Sequence, residues 1–382
     1  MLSLRVGARL PAGLVTWSLV LAGCTDRGHT ATCEPPEDGE GSWSHSEPPE
    51  ELGYLALDWL GRDSRNDQLG FRNWGERIEF VTLDVLSGTW TSVEHPNQTT
   101  YYGQGFAFHE RWALALGDWS SETPMDRPPS TALLDRDTGE WSSVVQPEDY
   151  FPPLYPPIFG VGSVFVTFGQ EARDSQDGDA VAEAFALDPV AGSWSKLAAP
   201  PWKGIDGGST SDWPGTYAVQ GDRLLVTASG VNGTQAVIAI YDVSEGAWST
   251  IPFAPEQAPR VGSSVVWQGD DLFLGGGWEG ASFRDLWRYS FASETWTRVS
   301  LPSWVDVWTV VPVGERIAVQ GSCRGRALFD PASDEWTPMT LVGSPEEVGN
   351  RGSVLIGIAG RAVAAEIHTE GEGVDGVFIF EP

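Results

Sequence analysis

The chain has 382 residues, with 53 Asp+Glu against 23 Lys+Arg and a net charge of −30. That balance argues against nucleic acid as a partner, because phosphate recognition needs clustered Lys and Arg. Apolar residues at 41% suffice for a packed core, and the scattered 45 Gly and 27 Pro mark turns between short strands rather than a disordered tract.

Residues 1–23 read as an export signal, with Arg5 and Arg9 ahead of a short apolar run from Pro11 to Leu21. The run is too short to span a bilayer. It ends in Leu21-Ala22-Gly23-Cys24, which resembles the lipobox of bacterial lipoproteins. The resemblance implies that Cys24 is lipidated and becomes the new N-terminus. It places the protein at the bacterial outer membrane, or at the cell surface or periplasm, with the lipid as its sole membrane contact. Residues 24–40 are polar and Pro-containing and read as a flexible tether. In an oxidising compartment the two other cysteines, Cys33 and Cys323, form a possible disulfide, which geometry must decide.

From here a repeat dominates. Asp84–Trp90, Asp135–Trp141, Asp188–Trp194, Asp242–Trp248, Ser290–Trp296 and Asp330–Trp336 share one spacing, six positions from first residue to Trp. The tryptophans are 51, 53, 54, 48 and 40 residues apart. Each segment follows a short apolar run and precedes a strand with Ser or Thr, so each reads as a β-hairpin. Asp holds the turn backbone, a turn residue such as Gly permits reversal, and Trp opens the next strand and fills space between sheets. Ahead of the hairpins lie two further apolar strands, clearest in Ser263–Trp267 with Leu272–Gly277, and in Trp304–Val311 with Arg316–Gln320. Four short antiparallel strands per repeat predict an all-β propeller.

The two ends of the chain complete a seventh unit. Arg351–Ile358, Arg361–Ile367 and Gly376–Pro382 supply three strands, and the chain stops where the fourth should begin. Gly41-Ser42-Trp43-Ser44 matches Gly192-Ser193-Trp194-Ser195, and Trp43 lies 47 residues before Trp90. The expectation is a seven-bladed β-propeller of four-stranded antiparallel blades over residues 41–382, its last blade closed by an N-terminal strand.

One unit carries a specific resemblance. Arg260-Val-Gly-Ser-Ser-Val-Val, Leu272-Phe-Leu-Gly-Gly, Leu286-Trp-Arg-Tyr-Ser and Trp296 together resemble a kelch repeat of the galactose oxidase-like kind. The other units keep the hairpin spacing and mostly lose the Gly pair, retaining single glycines such as Gly117, Gly169 and Gly321. The resemblance covers about residues 41–382 and implies the fold more than any subfamily.

Propellers bind at the channel mouth, where the loops between blades and those joining the second and third strands share a face. Candidates there are Trp119, Tyr155, Trp213, Arg260, Trp278 and Arg351, since exposed aromatics beside charged groups suit peptide or sugar contacts. Tyr150, Phe151 and Trp202 stand in the same long loops. The five His form no pair at ligand spacing, so no metal site and no cofactor are implied. The copper chemistry of galactose oxidase needs two His and two Tyr, one cross-linked to Cys, and this set is missing. The turns differ from the sialidase Asp box in spacing. No catalytic constellation stands out. The expectation is a monomeric, non-enzymatic binding protein of the cell envelope with an unknown protein or glycan ligand. The alternative left open is a sugar-handling enzyme resembling the kelch-type sialic acid mutarotases.

Overall fold

The computed structural model describes residues 39–49, 55–56, 68–73, 79–94, 105–116, 131–150, 157–170, 182–202, 216–228, 237–254, 263–277, 283–321, 326–344, 354–367 and 374–382. All of them fall in the unit Cys33–Pro382. Cys24, Cys33, Cys323 and the signal segment lie outside the described residues.

The strands form seven sheets, each with four antiparallel strands, lettered a to d in pairing order. Sheet 1 comprises Leu55–Ala56, Gln68–Asn73, Glu79–Asp84 and Thr89–Glu94. Sheet 2 comprises Gly105–His109, Trp112–Leu116, Thr131–Asp135 and Glu140–Val144. Sheet 3 comprises Ile158–Val161, Val164–Gln170, Ala182–Asp188 and Ser193–Lys196. Sheet 4 comprises Thr216–Gln220, Arg223–Ala228, Val237–Asp242 and Ala247–Ile251. Sheet 5 comprises Ser264–Gln268, Asp271–Gly275, Leu286–Ser290 and Thr295–Arg298. Sheet 6 comprises Thr309–Val313, Arg316–Gln320, Arg326–Asp330 and Glu335–Pro338. Sheet 7 comprises Val354–Ile358, Arg361–Ile367, Val374–Glu381 and, from the start of the chain, Ser42–Ser46. Seven such sheets are consistent with a seven-bladed propeller.

The repeated segment is the c–d hairpin in sheets 1 to 6. Asp84 Oδ1 accepts from Leu86 N at 2.9 Å and Ser87 N at 2.8 Å. Asp188 Oδ1 holds Val190 N and Ala191 N in the same way, both at 2.9 Å. The fifth residue of each hairpin is left-handed. Gly88, Gly139, Gly192 and Gly246 take that place with φ between 61° and 73°. In sheets 5 and 6 it falls to Glu294 and Asp334, at φ 53° and 58°, a conformation that strains a residue with a Cβ. One expected strand is shifted: Trp304–Val311 is a turn up to Val305, whose amide donates to Pro302 O at 3.0 Å, and strand a begins only at Thr309.

The tryptophans do more than fill space. Trp248 Nε1 donates to Ala198 O at 2.9 Å, Trp296 Nε1 to Pro252 O at 2.7 Å, and Trp336 Nε1 to Ser300 O at 2.9 Å. Trp141 Nε1 reaches Glu94 O at 3.1 Å, and Trp43 Nε1 reaches Thr340 O at 2.8 Å. In all five cases the acceptor lies four residues beyond the Trp of the preceding sheet. Trp90 Nε1 donates instead to Ser46 Oγ at 2.9 Å, joining sheet 1 to the strand that sheet 7 takes from the chain start. Trp194 has no acceptor for its buried Nε1 among the described residues. There the residue four beyond Trp141 is Val145, turned out to 85% exposure, and the Tyr150 ring stacks on the indole at 5.6 Å.

Apolar clusters sit between neighbouring sheets. Leu225 and Ile238 of sheet 4 pack with Val265 and Leu272 of sheet 5. Phe273 of sheet 5 joins Val310 and Phe329 of sheet 6, and Leu328 of sheet 6 joins Leu355 and Phe378 of sheet 7. Ile356 and Ile379 of sheet 7 pack with Val81 and Leu83 of sheet 1.

Candidate functional site

Strand register sorts the connections by end. Strand b closes against strand c at Leu116↔Thr131, Ala228↔Val237, Gly275↔Leu286 and Gln320↔Arg326. Strand d finishes at the same end, as Val144 opposite Thr131 and Ile251 opposite Ile238. Strand a starts there too, with Ser264 opposite Gly275 and Thr309 opposite Gln320. The b-to-c and d-to-a segments of every sheet therefore leave and return at one end.

All six sequence candidates fall in those segments. Trp119 and Trp278 stand between b and c; Tyr155, Trp213, Arg260 and Arg351 stand between d and the next a. The six residues themselves, and Phe151, lie outside the described residues. Two aromatic neighbours from the same loops are core. Tyr150 is 1% exposed and Trp202 is buried between sheets 3 and 4. Burial pushes the Tyr150 hydroxyl well above its ordinary value, so it stays protonated and serves as a donor.

The Tyr150 donor shapes one connection. Thr167 Oγ1 donates to Pro157 O at 2.8 Å, which leaves Tyr150 OH to donate to Thr167 Oγ1 at 3.2 Å. One threonine hydroxyl thus ties together the chain on both sides of residues 151–156. Beside it Lys196 pairs with Glu183 and, at 3.3 Å, with Asp149. The hydrogen bond to Glu183 is the main cause holding Lys196 above its ordinary value, with Asp149 adding to it.

A second connection is described from strand d of sheet 5 to strand a of sheet 6, and it explains the Gly pair. An added Cβ on Gly276 would lie 2.5 Å from Trp308 O, and one on Gly275 would lie 2.6 Å from Val307 Cγ1. These glycines let the segment before strand a of sheet 6 lie directly on the end of strand b of sheet 5. Asp306 is buried there; its Oδ1 accepts from Val307 N at 2.9 Å and faces Arg284 Nε at 3.7 Å. Asp306 and Arg284 were not among the sequence candidates; the one local signal was the lone Gly321, where an added Cβ would strike the Asp306 backbone.

The opposite end, with the a–b and c–d turns, carries several ion pairs. Arg111 pairs with Asp135 at 2.8 Å, Arg316 with Glu40 at 2.7 Å, and Arg361 with Glu381 at 2.6 Å. Arg288 Nε donates to Asp271 at 2.8 Å and its NH1 to Pro331 O at 3.1 Å. The hydroxyl of Ser244, then the amides of Glu245 and Ser244, hold the Asp242 carboxyl below its ordinary value, with Arg223 contributing. Among the described residues no group of three or more His, Cys, Asp or Glu is placed to hold a metal ion.

No protein-family profile matches the chain. Over 154 residues it is 26% identical to the "Kelch-like protein terF" of Aspergillus terreus, an alignment covering 35% of this chain and 33% of that protein. The chain thus spans about a third of the length of the relative it matches. This likeness and the seven repeated four-stranded sheets fit a kelch-type β-propeller.

Proposed function

We propose that residues 41–382 form a closed ring of seven blades that acts as a non-enzymatic protein-interaction module, exported and held at the bacterial envelope by lipid on Cys24. One observation carries the choice of face: strand register sends the b-to-c and d-to-a segments, which hold all six candidate residues, to one end of each sheet, while the a–b and c–d connections at the other end are short turns in sheets 2 to 6. Loops on a rigid scaffold are the usual place for recognition. The Trp43 and Trp90 hydrogen bonds, with the cluster shared by sheets 7 and 1, support closure by Ser42–Ser46. Trp119, Tyr155, Trp213 and Trp278 supply aromatic anchors, and Arg260 and Arg351 supply paired-charge contacts, the residue types that dominate protein interfaces.

The test places a photo-crosslinking residue at Trp119 or Trp278, and in parallel at Leu86 or Val190 on the c–d turns, in the lipidated protein in its own envelope. Discrete protein adducts from the first pair and none from the second are expected. Adducts from the turn positions alone would overturn the assignment of the face. A glycan array on the same domain separates the ligand classes: specific sugar binding lost on Trp278→Ala would replace the protein ligand by a glycan.

A further inference from the structure

The strand that sheet 7 borrows from the chain start sits in a groove shaped for its sequence. Trp43 packs on Phe380 with ring centroids 5.1 Å apart, and the Arg326 guanidinium lies over the indole at 5.0 Å. The indole N–H reaches Thr340 O, as above. His45 packs at a tilt on Phe378, ring centroids 4.5 Å apart, over Gly376, where an added Cβ would strike the imidazole. Gly41 takes φ 80° with Phe380 and Glu381 O closely opposite, positions that any Cβ would strike. Just before the strand, Glu40 pairs in parallel with Met339, with Glu40 N donating to Pro338 O and Thr340 N to Glu40 O, both at 2.9 Å. Residues 39–46 thus meet sheets 6 and 7 as an extended peptide meets a strand-addition site: the main chain supplies hydrogen bonds, and alternate side-chain pockets supply selectivity.

None of these contacts depends on chain continuity. The partners lie 276 to 335 positions away for Arg316, Thr340 and Ile379, and 44 away for Trp90. The strand is followed by Glu47-Pro48-Pro49, and paired prolines keep the chain extended and resist folding back. Exchange of an identical element between copies is a low-cost route to dimers.

We propose that this groove also accepts residues 39–46 of a second copy, so that two chains exchange their N-terminal strands. The recognised ligand is an extended Gly-Glu-Gly-Ser-Trp-Ser-His-Ser peptide segment. Within one chain the strand competes at an effective concentration on the order of millimolar, so dilute protein is monomeric and exchange occurs by transient release. Crowding of anchored copies on a membrane would raise the exchanged fraction. The inference rests on the pairing of Ser42–Ser46 with Val374–Glu381 and not on the binding face proposed above.

Ser42 and Glu381 are exposed partners in register, suited to a disulfide trap. The experiment uses the chain from residue 25 with Cys33 and Cys323 replaced by Ser. Ser42→Cys and Glu381→Cys are made singly and together. The double variant should cross-link within one chain. The two single variants, mixed and incubated under mild oxidation, should give a cross-linked dimer at least about tenfold faster than Ser42→Cys mixed with Val190→Cys, where only collision acts. Equal rates for the two mixtures, with the double variant cross-linked in cis, overturn exchange and leave the closed ring standing. A double variant that does not cross-link in cis overturns the closed ring and the exchange together.

Discussion

Replacing Trp43 by Ala probes the junction between sheets 6 and 7 at its most loaded point. The change removes the Nε1 hydrogen bond to Thr340 O, the ring contact with Phe380, and the aromatic face under Arg326, a side chain whose residue is only 2% exposed. Truncating a buried Trp costs about 3–5 kcal/mol, and Trp43 is partly exposed, which points to the lower part of that range. The guanidinium over the ring adds roughly 0.5–2 kcal/mol, part of which is already inside the truncation figure. A loss of about 3–4 kcal/mol is expected. For a domain of this size each kcal/mol moves the thermal midpoint by roughly 1–2 °C, so the midpoint should fall by about 5 °C. Urea unfolding followed by far-UV circular dichroism measures the free energy directly, with an unchanged m-value if the transition stays cooperative. Trp43→Phe, which keeps most of the ring contact, should lose about 1–2 kcal/mol. An alanine variant with the parent midpoint would refute the view that the chain start is built into the sheet.

Further outcomes follow from the same geometry. Trp248→Phe should cost roughly 1 kcal/mol more than Trp194→Phe in urea titrations, because only the first loses an indole hydrogen bond to a described acceptor; equal losses would count against the inter-sheet relay. Glu294→Gly and Asp334→Gly should each stabilise by up to about 1 kcal/mol by removing left-handed strain, less the added chain entropy of Gly, and a destabilised pair would contradict the turn assignment. The folded Asp242 carboxyl titrates below its usual value of 3.8, so its contribution is complete above that pH and is lost as pH falls through the lower folded value. Acid titration of Asp242→Asn should therefore show a shallower fall in stability below pH 3.8 than the parent, and superimposable curves would sink the point. Incorporation of labelled palmitate should be abolished by Cys24→Ala, with the protein released from the membrane fraction; undiminished labelling would place the lipid elsewhere.

Much of the scaffold was legible because it is local. An Asp six positions before a Trp, with a left-handed residue between, is a hairpin wherever it occurs, and strands such as Arg316–Gln320 and Arg361–Ile367 appear at their expected bounds. The fourth strand of sheet 7 could be paired across the whole chain only because Gly-Ser-Trp-Ser is repeated at Gly192. The inter-sheet relay was not legible, since a carbonyl four residues beyond a Trp carries no side-chain signature. Tyr150 stood among loop aromatics in sequence; in the fold it is buried against Phe185 and Trp194, long-range contacts that a loop sequence does not announce. The Arg284–Asp306 pair was hidden because its members come from different connections, b-to-c of sheet 5 and d-to-a into sheet 6, with no shared motif to link them.

The central claim is that recognition is confined to the end where the b-to-c and d-to-a segments meet. The most direct test is the affinity of the partner recovered by photo-crosslinking for two block variants of the isolated domain. One carries Trp119→Ala, Trp213→Ala and Trp278→Ala; the other carries Leu86→Ala, Val190→Ala and Glu245→Ala on the c–d turns. The account predicts that the first block weakens binding by a factor of about a hundred or more, as loss of aromatic hot spots does, and that the second leaves the dissociation constant within about twofold. Full affinity in the first block with binding lost in the second would contradict it.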